Sequence, residues 1–162
     1  MRSVEKEVVV SATLDEVWRV WTTTDGIREF LAPDANVRLV PGGPFELYFD
    51  RDAPAGSRGS EGCTVLSYLP KQMFSFTWNA PPSIPEIRAL GPAAWVVVRF
   101  DETGDNRVRV RVTHLGFGKG EGWDKTYEYF DRAWGRVLEW LEYRFAKGPV
   151  DWSKGFPKTR QG

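Results

Sequence analysis

The most regular pattern in the chain is an alternation of polar and apolar residues that is followed by a helical repeat. Residues 107–114 alternate arginine or threonine with valine and end at His114, and a glycine-rich segment at 116–118 interrupts the alternation. From Glu121, apolar residues recur at helical spacing as far as Phe145, opposite a charged face that includes Arg132 and Arg136. A period of two followed by one of about 3.6 predicts a half-buried strand and then a long amphipathic helix.

Shorter patterns predict the elements before that helix. A valine-rich strand is predicted at residues 4–10, and Thr13 and Glu16 have the spacing of a capping box at the start of a short helix. A second short helix is predicted over 25–31, ahead of Pro33. Further strands are predicted at 36–40, 45–49, 63–69, 73–78 and 93–100. The segment 79–92 contains four prolines, so it is predicted as a long loop, which is either a binding loop or an inert insertion.

The order of these elements indicates the fold class. Consecutive strands with helices segregated to the two ends indicate an α+β domain, with an antiparallel meander of about seven strands. The long helix must cover the apolar face of that sheet. Gly148 and Pro149 end the helix, so we expect a single domain over residues 1–147 and a C-terminal tail over 148–162.

Composition narrows the function classes and the compartment. The 22 basic and 22 acidic residues form no block of either sign, so nucleic acid is not an expected partner. No apolar run approaches the roughly 20 residues of a membrane span, and the N-terminus lacks the apolar segment of a signal peptide. The single cysteine excludes an internal disulfide and fits a reducing compartment. We therefore expect a soluble, cytoplasmic protein.

Chemically active side chains are few. His114 is the only histidine, and the strand alternation aims it inward. It is either a structural histidine or a polar anchor or acid–base group in an apolar pocket. One histidine and Cys63 cannot supply a typical zinc site, and no nucleotide or nucleophile motif is present, so we predict no cofactor, no metal and no catalytic residue.

Aromatic residues are numerous, with eight tryptophans and ten phenylalanines. The first half of the long helix's apolar stripe is mostly aromatic and the second half is aliphatic. A curved sheet that grips a straight helix leaves a space, and we expect that space where the helix is aromatic. The aromatic residues are either its walls or simple core. The candidate ligand-binding residues are Trp21, Phe30, Phe76, Trp78, His114, Tyr127, Phe130 and Trp134.

Several short motifs, taken together in their order, carry a resemblance to a known family. They lie at 11–18, 41–45, 62–78, 113–117, 122–123 and Trp134. With them the chain resembles the START-like, or SRPBCC, helix-grip superfamily, and within it the activator of heat-shock-protein ATPase homologue-like family. It departs from that family at 29–32, where tryptophans are often found, and in the expanded loop 79–92.

The resemblance implies a START-like helix-grip domain, also described as Bet v-like, and a function. The implied function is the binding of a small apolar or aromatic ligand in an internal cavity, with Tyr127 and His114 as polar contacts. One alternative is a protein-interaction module like the chaperone-activating relatives, with the tail around Trp152 and Phe156 as the contact surface. Another is a cyclase-like or hydrolase-like enzyme that uses His114. A role in stress response is also implied, and the oligomeric state stays open.

Overall fold

The chain folds into strands and short helices that precede one long C-terminal helix. The computed structural model describes residues 2–160. The elements are β1 (Val4–Ser11), α1 (Leu14–Thr22), α2 (Thr24–Ile27), β2 (Asp34–Val37), β3 (Phe45–Tyr48), β4 (Val65–Leu69), β5 (Met73–Trp78), α3 (Pro85–Arg88), β6 (Ala94–Gly104), β7 (Arg107–Leu115) and α4 (Glu121–Lys147), followed by a 3-10 turn at Trp152–Lys154. The class is α+β, as the order of the patterns predicts.

Residues 2–160 contain seven strands, which are divided between two sheets. Five form an antiparallel sheet in the order β1-β7-β6-β5-β4, and β2 and β3 form a separate hairpin. An isolated bridge between Pro44 and Thr64 attaches the hairpin to the β4 side of the larger sheet. Backbone hydrogen bonds from Phe45 to Cys63 and from Val65 to Gly43, each at 2.8 Å, complete this short link. The prediction of a single sheet of about seven strands is therefore corrected to a sheet of five strands and a separate hairpin.

Strand β7 shows the predicted alternation. Val108, Val110, Val112 and His114 are buried, and Arg107 is exposed. Arg111 lies on the outer face and pairs with Asp101 of β6 at 2.9 Å. The buried residues of β7 join those of β5 and β6 in one continuous core.

Local differences from the predicted elements have identifiable causes. Thr13 caps α1 by accepting a hydrogen bond from the Glu16 N–H at 3.2 Å, but the Glu16 carboxylate pairs with Arg19 instead of completing a capping box. Helix α2 is shorter than predicted because a turn replaces the helix after Ile27. Strand β6 continues past Phe100 to Gly104 because it pairs with β7 over almost its whole length.

The second half of α4 is fixed to the rest of the protein by packing and by charge. Val137, Leu138 and Leu141 are buried. Glu29, which follows α2, pairs with Arg19 of α1 and with Arg144 of α4, each at 2.7 Å. The hydrogen bonds from Arg19, together with those from Arg144, hold the pKa of Glu29 below its ordinary value although burial opposes the shift.

No helix among residues 2–160 combines the length and apolar composition that crossing a membrane requires.

Truncating Leu141 tests the packing of α4. Leu141 is 0 % exposed, whereas Leu69 at the end of β4 is 55 % exposed. Because Leu141→Ala leaves a cavity in the core, we expect it to lower the free energy of unfolding by about 2–5 kcal/mol. Leu69→Ala should cost less than about 0.5 kcal/mol. Urea unfolding of both variants is the measurement, and equal losses would contradict the packing described.

Candidate functional site

A cavity with a volume of about 750 Å³ lies along one side of α4. Its walls come from α4, the end of β5, the loops at 49–59 and 79–88, and the C-terminal tail. The residues that line it are Leu31, Phe49, Asp50, Ala53, Ser57, Arg58, Gly59, Trp78, Asn79, Pro81, Pro82, Arg88, Tyr129, Phe130, Ala133, Trp134, Arg136, Val137, Trp140, Phe156, Pro157 and Lys158. Most of this surface is apolar, and much of it is aromatic.

Helix α4 contributes two neighbouring stripes to the cavity. Phe130, Trp134 and Val137 are buried, and they have the i, i+4, i+7 spacing of one helix face. Beside them, Tyr129, Ala133, Arg136 and Trp140 repeat the same spacing one position away and are only half-buried. The buried stripe forms the floor of the cavity and the half-buried stripe forms its side. The Trp134 ring lies 5.8 Å from the Trp78 ring on β5.

The opposite wall is a loop that Arg88 of α3 holds in place. Arg88 donates to the carbonyl oxygens of Gly56, Gly59 and Ala80 at 2.6, 2.8 and 2.7 Å, and it pairs with Glu61. Residue 59 must be glycine, since a Cβ there would lie 1.9 Å from the Leu47 carbonyl oxygen. The rim of the cavity is therefore built from backbone contacts and one arginine.

The C-terminal tail closes part of the cavity mouth. Trp140 donates through Nε1 to the Pro157 carbonyl at 3.0 Å, and its ring stacks on Phe156 at 5.1 Å. Upstream, Trp152 donates through Nε1 to the Arg28 carbonyl at 2.6 Å. Downstream, Arg160 pairs with Glu139 at 2.8 Å. The tail therefore crosses α4 and is attached on both sides of the segment that lines the cavity.

The structure brings together only part of the predicted ligand-binding set. Trp78, Phe130 and Trp134 line the cavity. Trp21, Phe30 and Phe76 do not, and each is 0 % exposed in the core. The predicted cavity walls are corrected at these three positions, because α1, the turn after α2 and strand β3 pack directly on one another and on the inner face of the sheet. Trp21 meets Phe30 edge-on at 5.1 Å, and Phe76 stacks on Phe45 at 4.1 Å.

Tyr127 points away from the cavity, toward the start of β1. Its hydroxyl donates to the Ser3 carbonyl at 3.1 Å, and its ring meets Phe117 at 5.2 Å. Sequence reasoning missed Tyr129, Trp140 and Phe156 as cavity residues. The available signal was the second stripe at 129, 133, 136 and 140, which holds two aromatic residues beside the main apolar stripe.

His114 lies beneath the helix and outside the main cavity. It is 1 % exposed, and Trp134 donates through Nε1 to its Nδ1 at 3.1 Å. The rings of Phe117 and Phe130 lie 4.6 and 4.7 Å from it. Burial lowers the pKa of His114 to about 3, so the imidazole is neutral near pH 7 and its proton lies on Nε2. No group within residues 2–160 accepts a hydrogen bond from Nε2, and His114 is one of the residues around a small void of about 10 Å³.

These surroundings favour a structural role for His114. A group that cannot take up a proton above about pH 3 is a poor acid–base catalyst at neutral pH. Burial likewise raises the pKa of the Cys63 thiol to about 12, which leaves it unreactive as a nucleophile. The described part of the chain holds no cluster of three or more histidine, cysteine, aspartate or glutamate side chains placed to bind a metal ion.

The antiparallel sheet, the two short helices after β1 and the long C-terminal helix define the START-like helix-grip class. The family model described as "Activator of Hsp90 ATPase homolog 1-like protein" matches residues 11–146, which is most of the chain. The chain therefore belongs to this family, as its motifs indicate. No curated protein is similar enough in sequence to count as a match.

Solved structures of low sequence identity share the fold. Protein MLL2253 from Mesorhizobium loti is 22 % identical, with a TM-score of 0.71 over 92 % of this chain and 100 % of that one. The Aha1 dimer from Colwellia psychrerythraea is 16 % identical, with a TM-score of 0.66 over 91 % and 98 %. An AHSA1-like protein from Rhizobium etli is 17 % identical, with a TM-score of 0.64 over 98 % and 90 %. At these identities the similarity establishes the fold alone.

The buried imidazole gives the protein a specific pH dependence. The unfolded chain protonates His114 below about pH 6.5, while the folded chain does not until about pH 3. Stability therefore falls as pH drops through this window, and we expect a loss of about 2 kcal/mol from this residue between pH 7.5 and 5. Urea unfolding at the two pH values should show that loss in the wild type and not in His114→Gln.

Trp134→Phe is the control for this measurement. It removes the donor to Nδ1 but keeps the buried imidazole. We expect it to lower stability at both pH values while leaving the difference between them as in the wild type. A His114→Gln variant with the full wild-type pH difference would show that the loss comes from other groups.

Proposed function

We propose that this protein binds a small apolar or aromatic molecule in the cavity beside α4. The observation that carries the proposal is the cavity itself, about 750 Å³ in volume and walled by the rings of Trp78, Phe130 and Trp134. Binding pockets for small molecules typically enclose about 300–1,000 Å³ and are lined mainly by apolar and aromatic groups. The tail residue Phe156 adds a further ring at the mouth.

The walls are held in a way that suits binding. The Trp134 N–H is already bonded to His114, so its ring presents an apolar face to the cavity. Arg88 fixes the opposite loop through backbone carbonyls, and the loop therefore needs no ligand to keep its shape. A cavity whose walls are ordered before binding loses less conformational entropy when a ligand enters.

The two alternatives have weaker support. The family description favours a protein-interaction role, but the aromatic residues proposed as its surface already pack within the chain, since Phe156 contacts Trp140 and Trp152 and keeps only part of its ring exposed. An enzyme using His114 would need that residue at the cavity surface and able to exchange protons, whereas it is buried behind Trp134. A role in stress response stays a prediction of the family resemblance.

We also propose a cytoplasmic location. The support is the single cysteine, Cys63, which is buried and offers no disulfide partner within the chain. Such a composition is typical of proteins from reducing compartments.

Filling the cavity tests the proposed function. Ala133 lines the cavity on α4, and Ala146 lies on the exposed end of the same helix. We expect N-phenyl-1-naphthylamine, an uncharged fluorescent probe, to bind the wild type saturably. Because an indole at position 133 would occupy the space between helix and loop, Ala133→Trp should weaken binding at least about tenfold, or about 1.4 kcal/mol. Fluorescence titration is the measurement.

Ala146→Trp is the matched control, because it adds the same side chain outside the cavity. It should bind the probe as the wild type does. Absence of saturable binding by the folded wild type, or equal binding by both tryptophan variants, would contradict a ligand site in this cavity.

A further inference from the structure

We propose that the ligand is an amphipathic organic anion, whose apolar body occupies the cavity and whose single acidic group pairs with Arg136. This inference rests on the ligand-binding function proposed above and names the chemical class of the ligand. The geometry that points to it is an arginine without a partner on the wall of an otherwise aromatic cavity.

The charges that line the cavity are unbalanced. Among the described residues that line it, four are cationic, Arg58, Arg88, Arg136 and Lys158, and one is acidic, Asp50. Asp50 is exposed, and its carboxylate accepts from the Asp52 N–H within its own turn at 3.1 Å. Even when Glu61, which pairs with Arg88, is counted as a second acidic group, cationic side chains outnumber acidic ones at the cavity, although the whole chain has a formal net charge of zero.

Two of the arginines already serve the loop. Arg88 donates to three backbone carbonyls and pairs with Glu61. Arg58 donates through Nε to the Ala53 carbonyl at 2.9 Å. The Arg88 guanidinium is thereby committed to holding the rim, and Arg58 is an exposed side chain attached to the loop through its Nε–H. Arg136 is the half-buried cation of the cavity surface that has no protein partner within residues 2–160.

Arg136 is half-buried between Ala133 and Trp140 on the side of the cavity, and it makes no hydrogen bond or ion pair within residues 2–160. Its helix neighbours explain why. Arg132, one turn before it, is also a cation, and Glu139, three residues after it, is held by Arg160. A partly desolvated guanidinium without a carboxylate partner is unfavourable, and an anionic ligand group would remove that cost.

The shape of the Arg136 guanidinium group restricts the kind of acidic group that it can bind. Its planar fork places paired N–H donors against two oxygens of one acidic group, such as a carboxylate, a phosphate or a sulfonate. Lys158 lies on the same side, because Trp140 is one turn from Arg136 and bonds to Pro157, the residue before the lysine. One arginine and one lysine fit a single acidic group, and the rings of Trp78, Phe130 and Trp134 fit an apolar body.

Two probes with the same ring skeleton test the inference. 8-Anilino-1-naphthalenesulfonate carries an acidic group that N-phenyl-1-naphthylamine lacks. We expect the wild type to bind the sulfonate at least about tenfold more tightly, with an affinity that falls as salt rises. Arg136→Gln should weaken sulfonate binding about tenfold and change the affinity for the neutral probe less than about twofold. A tenfold change in affinity corresponds to about 1.4 kcal/mol, and one charge-assisted contact supplies a difference of that order.

Arg132→Gln is the matched control, since it removes the same charge from an exposed position on the same helix. It should leave both affinities unchanged, and Arg136→Lys should restore part of the sulfonate affinity. If Arg136→Gln leaves sulfonate binding intact, or weakens it no more than Arg132→Gln does, the proposed anion site is overturned while the ligand-binding function stands. Failure of both probes to bind the wild type would overturn the two proposals together.

Discussion

The hydrogen bond from Trp134 to His114 is the constraint on which the arrangement of the site depends. It joins the long helix to the end of strand β7 inside the core, at 3.1 Å between Nε1 and Nδ1. A buried N–H that lost its acceptor would cost about 1–3 kcal/mol, so this contact strongly favours one rotation of α4 about its axis. That rotation decides which stripe of the helix forms the cavity floor and which forms its side.

The remaining walls come from segments far apart in sequence, and polar contacts hold each of them. Arg88 fixes the loop that follows β3, and Glu29 fixes α4 against α1. Trp140 and Trp152 fix the tail through carbonyl oxygens. Side chains packed across the cavity would fill it, so the segments that form its walls have to be held by contacts outside the cavity. A tryptophan side chain can hold a wall segment and also provide apolar cavity surface, because its N–H donates to an acceptor while its ring presents an apolar face.

The sequence predicts the fold better than it predicts the site, for physical reasons. Alternation in β7 and the helical repeat of α4 report burial directly, so Val110 and Leu141 are placed correctly. An inward aromatic residue looks the same whether it faces another element of the core or a cavity, so the pattern assigns Phe76 to the cavity wall although it stacks on Phe45 of β3. Arg136 belongs to the charged face by its spacing, and its burial depends on a loop and a tail that have no periodicity. No local sequence pattern indicates the hydrogen bonds by which Arg88 holds the loop at 56–59.

The position of the C-terminal tail bears on how the protein can diverge. The family match ends at residue 146, yet Phe156, Pro157 and Lys158 form part of the cavity mouth. Within residues 148–160 the tail adds no side chain to the hydrophobic core. Selection removes substitutions that destabilise a protein too far, and substitutions at exposed positions outside the core destabilise it little. Relatives with the same domain can therefore acquire differently shaped cavity mouths by changing this short segment alone, without altering the fold that supports it.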